Sequence, residues 1–133
     1  MLQLTRKEAT TVKELWFTNR MRIHHGNAVR VGQWIIGSSG DFGPAPLVAA
    51  HILTGEEAWR DRSFAKANLI VADGKLIILD EDGRLALARV TPKGLQVLAK
   101  TDLLQKTAWT PPTLAGTRLY VRDRRQALAV DLK

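Results

Sequence analysis

Apolar residues in this chain fall in short runs of three to six, broken by turn residues, and not at helical spacing. Two runs flank each of three glycines. Asn27–Val31 precedes Gly32 and Trp34-Ile35-Ile36 follows it. Asn68–Ala72 and Leu76-Ile77-Ile78 flank Gly74, and Pro112–Ala115 and Leu119-Tyr120 flank Gly116. Successive glycines lie 42 residues apart. Run, glycine, run is the pattern of strand, tight turn, strand, because glycine adopts the positive φ that a two-residue hairpin requires. A third strand is expected at Leu47–Ile52, Leu85–Val90 and Ala127–Leu132. The last two of these start 42 residues apart, and the first is set back by the longer connection Gly37–Pro46. A fourth is expected around Trp59 and around Leu98, each after a turn, Thr54-Gly55 or Pro92-Lys93-Gly94. Near the start, Leu2–Thr5 and Val12–Phe17 match a third and fourth strand, with Trp16 standing 43 residues before Trp59. Lys7–Trp16 is the only stretch with a helical argument, and it fits better as turn and outer strand.

Four short strands per 42 or so residues is the period of a β-propeller blade. One blade cannot bury both of its faces; stacking blades side by side does so. The expectation is an all-β, partial β-propeller of four-stranded antiparallel blades. It divides into residues 1–22 (outer strands of a preceding blade), 23–63, 64–105, and an incomplete last blade at 106–133. Small residues on the innermost strands, Ala28, Ala72 and Ala115, suit a crowded axis. Since complete rings carry four to eight blades, the chain reads as the C-terminal part of a larger propeller. The alternative is a ring closed by several copies, with Val12–Phe17 of one completing the last blade of the next.

The segment Ala49-Ala50-His51-Ile52-Leu53-Thr54-Gly55-Glu56-Glu57-Ala58-Trp59 resembles the repeat of the PQQ-like, or quinoprotein-like, β-propellers. That repeat runs Ala-Leu-Asp, a few residues, Thr-Gly, three residues, Trp. Asp82-Gly83-Arg84-Leu85 and Ala129-Val130-Asp131 are similar to its third strand. His51 and Arg89 stand where the family has Asp, and Pro92-Lys93-Gly94 and Leu98 replace Thr-Gly and Trp in the second unit. The resemblance spans nearly the whole chain. It implies a propeller that is periplasmic or secreted. The family holds quinone-dependent dehydrogenases, a scaffold lipoprotein of the outer-membrane assembly machine, and secreted propellers. A shared fold does not carry a shared cofactor. The dehydrogenases hold the quinone on the axis with a metal ion, many with an adjacent Cys pair. This chain has no Cys and no matching Glu/Asn/Asp set.

Composition adds exclusions. The absence of cysteine removes disulfides, thiolate metal sites and a thiol nucleophile. No apolar run approaches the ~20 residues of a membrane-spanning helix. Twenty Lys and Arg against thirteen Asp and Glu give +7, a balance that permits acidic partners without naming one. The densest basic stretch, Arg118, Arg122, Arg124 and Arg125, reads as a solvated outer strand. A nucleic-acid surface needs such charges on one face with stacking aromatics.

Candidate binding residues fall in the connections from strand four to the next strand one, and in those between strands two and three. Both sets share one end of a propeller, and binding residues concentrate on such loops. They are His25, Asn27, Asp41, Lys66, Asn68, Trp109 and Arg124. His25, Lys66 and Thr107 recur at 41 residues, as do Asn27 and Asn68. His24-His25 is a poor metal pair, since neighbours on an extended chain point apart. Asp80-Glu81-Asp82-Gly83 lacks calcium-loop spacing and reads as a tight acidic turn. Trp16 and Trp59 repeat and are assigned to packing between blades. Trp109 does not repeat, and it is the aromatic best placed to bind. The favoured function is a non-catalytic scaffold engaging a protein or small ligand at the loop face, with no cofactor. The enzyme alternative is a fragment of a quinone-dependent dehydrogenase using PQQ and calcium, and a third reading is a basic nucleic-acid surface.

Overall fold

The computed structural model describes residues 1–6 and 9–133. Thirteen strands and no helix occur among them: β1 (Leu2–Arg6), β2 (Thr10–Glu14), β3 (Ala28–Val31), β4 (Trp34–Ser38), β5 (Pro46–His51), β6 (Glu57–Ala65), β7 (Asn68–Ala72), β8 (Lys75–Leu79), β9 (Arg84–Thr91), β10 (Gly94–Asp102), β11 (Thr113–Ala115), β12 (Arg118–Arg122) and β13 (Ala127–Asp131). They form a two-stranded sheet β1-β2, two four-stranded sheets β3-β4-β5-β6 and β7-β8-β9-β10, and a three-stranded sheet β11-β12-β13. Every pairing is antiparallel between neighbours in sequence. The chain is therefore a β-propeller segment of two complete blades between two incomplete ones, and the sheets do not close on themselves.

The three glycine hairpins differ in detail. Val31 faces Trp34, Ala72 faces Lys75 and Ala115 faces Arg118. Gly32 and Gly116 take the first turn position at φ 58° and 60°, whereas Asp73 and Gly74 share positive φ at 48° and 67°. The first pair follows the type II′ pattern and the Asp-Gly turn the type I′ pattern. The glycines thus repeat at 42 while the strands repeat at 41 and then 43.

Packing between blades follows the strand period of two. Leu76 and Ile78 on β8, with Ala86 and Ala88 on β9, pack against Ile36, Leu47, Ala49, Trp59 and Phe64 of the first blade. Ile77 and Leu79, with Leu85 and Leu87, pack the other way onto Leu119, Val121, Leu128 and Val130 of the last sheet. The middle blade is covered on both faces, which is why Leu76–Leu79 is an unbroken apolar run.

Two side chains repeat as ties between blades. The Trp16 indole N–H donates to the Ile52 carbonyl at 2.9 Å, and that of Trp59 donates to Thr91 at 3.1 Å. The Asn27 amide donates to the Leu69 carbonyl and accepts the Leu69 N–H, both at 2.8 Å. Asn68 holds the same register position one blade later but donates only to the Trp109 carbonyl, at 3.1 Å. Its Oδ1 is buried without a partner. The register equivalent of Leu69 is Pro112, which has no N–H to give.

The β1-β2 hairpin differs from the expectation. The strand pair forms, yet β2 ends at Glu14, so Leu15–Phe17 lies outside it, and every residue of both strands is exposed. Lys7 and Glu8, within the stretch that had a helical argument, lie outside the described residues. β6 runs to Ala65, past the expected division at residue 63. Ala28 and Ala115 are exposed and Ala72 half-buried; Ala28 opens β3 whereas Ala72 and Ala115 end β7 and β11, so the three do not share a crowded position.

Candidate functional site

The connections between blades and the β4-β5, β8-β9 and β12-β13 turns meet at one end of the molecule, joined by backbone hydrogen bonds. The Gly40 N–H donates to Arg22, Lys66 to Ala45, Glu81 to Ala65 and Ala108 to Glu81, all at 2.8–3.0 Å. Asp80 and Asp123 each close a turn by accepting N–H groups through Oδ1: from Asp82 and Arg84 in the first case, from Arg125 and Gln126 in the second. Asp123 also accepts the Gln105 N–H through Oδ2 at 2.9 Å. The same residue at the same register titrates oppositely. Burial pushes the Asp80 carboxyl up, whereas the N–H donors of Gln105, Arg125 and Gln126 hold Asp123 below the usual carboxylate range.

Trp109 stands at the centre of this end. The His25 ring stacks on it at 4.4 Å between centroids, 12° from parallel. Lys66 Nζ and the Arg124 guanidinium lie 5.8 Å and 5.6 Å from its ring centre, within range of cation–π attraction. Its indole N–H donates to Glu81 Oε2 at 3.1 Å. That carboxylate is nearly buried and is approached by Lys66 at 3.5 Å and Lys106 at 3.9 Å. Lys106 also reaches Asp82 at 3.1 Å, and these two carboxylates, Asp82 foremost, raise its pKa. The result is an indole fixed by a buried carboxylate and flanked by an imidazole and two cations. It is an amphipathic platform suited to contact.

Of the seven residues expected here, His25, Lys66, Trp109 and Arg124 come together. Asn27 and Asn68 stand behind the platform as ties between blades, and Asn68 is fully buried. Asp41 is on the exposed β4-β5 connection, where its carboxylate accepts the Phe42 N–H at 2.9 Å. That bond first, then the nearby charges of His24 and Arg22, lower its pKa. The His24 and His25 rings lie 4.0 Å apart, tilted by 53°, so the chain there is bent and the pair does not point apart. Among the described residues no group of three or more His, Asp or Glu is placed to hold a metal. Glu81, the residue that organises the platform, carried no sequence signal beyond an acidic turn. The basic stretch is corrected as well: Arg118 and Arg122 lie on β12, the middle strand of the last sheet, and not on an outer strand.

No family model matches the chain, and no curated protein matches it. Among solved structures it is similar to BamB from Moraxella catarrhalis. The TM-score is 0.58 with 21% identity, over 77% of this chain and 29% of that one. The likeness supports the propeller fold, and the chain spans about three-tenths of the length of that protein.

Proposed function

We propose that the chain is a non-catalytic binding module of the PQQ-like propeller type that seats a protein partner on its loop face around Trp109. The observation that carries this reading is the platform itself, an indole held by Glu81 and flanked by His25, Lys66 and Arg124. Tryptophan and arginine in fixed positions are the side chains that anchor protein contacts. Phe42, on the β4-β5 connection, is almost wholly exposed to solvent, which suits a second anchor. The four sheets do not close on themselves and complete propellers carry four to eight blades, which supports a module that works within a larger ring, its further blades supplied by a parent chain or by other copies. The repeat's resemblance supports a periplasmic or secreted location.

The test is photo-crosslinking from position 42 in the native compartment. Trp109→Ala or His25→Ala is expected to cut capture of the crosslinked partner by about tenfold, the 1.4 kcal/mol of a modest anchor, with little change in melting temperature. Capture unchanged by both substitutions contradicts the site. Dye reduction on adding quinone with calcium would instead establish the dehydrogenase reading.

A further inference from the structure

Three charged side chains are buried among the described residues, and all three are carboxylates at the loop end: Asp80, Glu81 and Asp123, at 1%, 7% and 4% exposure. A buried carboxylate must be matched by donors or cations. Backbone N–H groups match Asp80 and Asp123. The Trp109 indole N–H, Lys66 and Lys106 match Glu81. Nearer the surface, Asp82 meets Lys106 at 3.1 Å, Asp102 meets Arg84 at 3.2 Å, and Asp41 accepts the Phe42 N–H at 2.9 Å.

The cations are arranged the other way. Arg22, His24, His25, Arg124 and Arg125 are all exposed. The first three come from the connection between β2 and β3, and the two arginines from the β12-β13 turn. Trp109 brings the two sets together, since His25 stacks on its ring and the Arg124 guanidinium lies 5.6 Å from the ring centre. Lys66 reaches the same ring from a backbone at φ 46°, a conformation that residues other than glycine rarely adopt. Charge at this end is thus sorted by depth, with anions beneath and cations above. All of these residues lie in turns and connections with strands on both sides.

Such a surface attracts and orients negative groups, and the surroundings of Trp109 narrow their kind. A single-stranded nucleic acid binds by stacking successive bases on aromatic platforms. Here the Trp109 ring already carries His25 and its N–H is taken by Glu81. A carboxylate needs no free ring. It accepts from guanidinium and imidazole N–H groups, and from arginine through two parallel bonds. Phe42, 92% exposed, stands on the connection whose Gly40 N–H donates to the Arg22 carbonyl. It adds an apolar contact that a peptide side chain can use.

We propose that the partner segment seated on the loop face is acidic: its carboxylates meet Arg22, His25 and Arg124, and an apolar side chain packs on Phe42. This rests on the loop-face reading and names the chemistry of the partner it takes.

The probe is a fluorescein-labelled peptide alternating Glu and Phe, titrated with the full chain and read by polarisation, beside a peptide alternating Gln and Phe. Saturable binding of the Glu peptide is expected, about tenfold tighter than the Gln peptide and weakened by salt. Arg22→Gln and Arg124→Gln, in variants with wild-type circular dichroism, should each weaken it about tenfold, as loss of a charge-assisted hydrogen bond does. Arg30→Gln removes the same charge beside the β3-β4 turn at the opposite end, where Arg30 donates to the Gly32 carbonyl, and should leave binding unchanged. Absent binding of the Glu peptide overturns the proposal. Equal weakening by Arg30→Gln overturns it too, as general attraction to a chain of net charge +7. So does displacement of the peptide by a single-stranded oligonucleotide of equal charge, or by vesicles of anionic phospholipid. Crosslinking from position 42 separates the two readings. Capture lost in Trp109→Ala but indifferent to Arg22→Gln, Arg124→Gln and salt overturns the acidic partner and leaves the loop face standing. Capture indifferent to Trp109→Ala as well overturns both.

Discussion

A single amide decides how firmly the first two blades are joined. Asn27 satisfies both the N–H and the C=O of Leu69, so Asn27→Ala strands two backbone groups in a half-buried seam. At 1–3 kcal/mol for each unsatisfied group, the expected loss is about 2–6 kcal/mol in urea unfolding. The tight turns give a second residue-scale prediction. A Cβ on Gly74 meets nothing within 4 Å, whereas on Gly83 it would stand 2.3 Å from the Leu104 carbonyl oxygen; both have positive φ. Gly74→Ala should cost only the left-handed strain of about 1–2 kcal/mol. Gly83→Ala adds a backbone clash and should cost more than about 3 kcal/mol. The two turn aspartates predict opposite acid behaviour. Asp123 is lowered in the fold, so its stabilisation is present above the ordinary carboxylate range and is lost as pH falls through the folded value. Asp80 is raised, so its contribution is best while it is protonated and worsens as pH rises through its folded value. In urea midpoints measured from pH 2 to 7, Asp123→Asn should flatten the acid limb. Asp80→Asn, which keeps an Oδ1 acceptor, should be neutral or stabilising at pH 7. The reverse pattern contradicts the assignment.

Strand order was legible in the sequence because a hairpin's turn is local chemistry. The glycine-flanked runs and the third strands form where the pattern puts them, and Trp16 and Trp59 both tie neighbouring blades, although Trp16 lies past the end of β2. What the pattern could not separate was the role of residues at equivalent positions. Asn27 and Asn68 share a register, but one meets a peptide N–H and the other a position where Pro112 has none. Glu81 reads in the sequence as part of an acidic turn, since its partner Trp109 arrives from 28 residues away. Long-range pairing of this kind leaves no periodic trace. At the scale of elements, strands β1 and β2 are exposed at every residue, and the segment is tied to the first complete blade by the Trp16 hydrogen bond to Ile52. Trp16→Phe removes that bond and should raise proteolytic nicking within residues 1–15, leaving β3–β10 intact.

The whole molecule has a gradient of burial. Its middle blade is covered on both sides, while Leu2, Leu4, Val12 and Phe17 at one end and Tyr120 at the other are exposed. Such edges invite association. Light scattering should show mass rising with concentration, and Leu4→Lys with Val12→Lys should reduce it. The central claim is that the two complete blades carry the stability of the fold and the two incomplete sheets flank them. Amide hydrogen exchange of the dilute chain tests it most directly. Slowest exchange is expected in β4, β5, β8 and β9, the inner strands of the two complete blades, and fastest in β1 and β2. Equal protection across all four sheets would contradict the account.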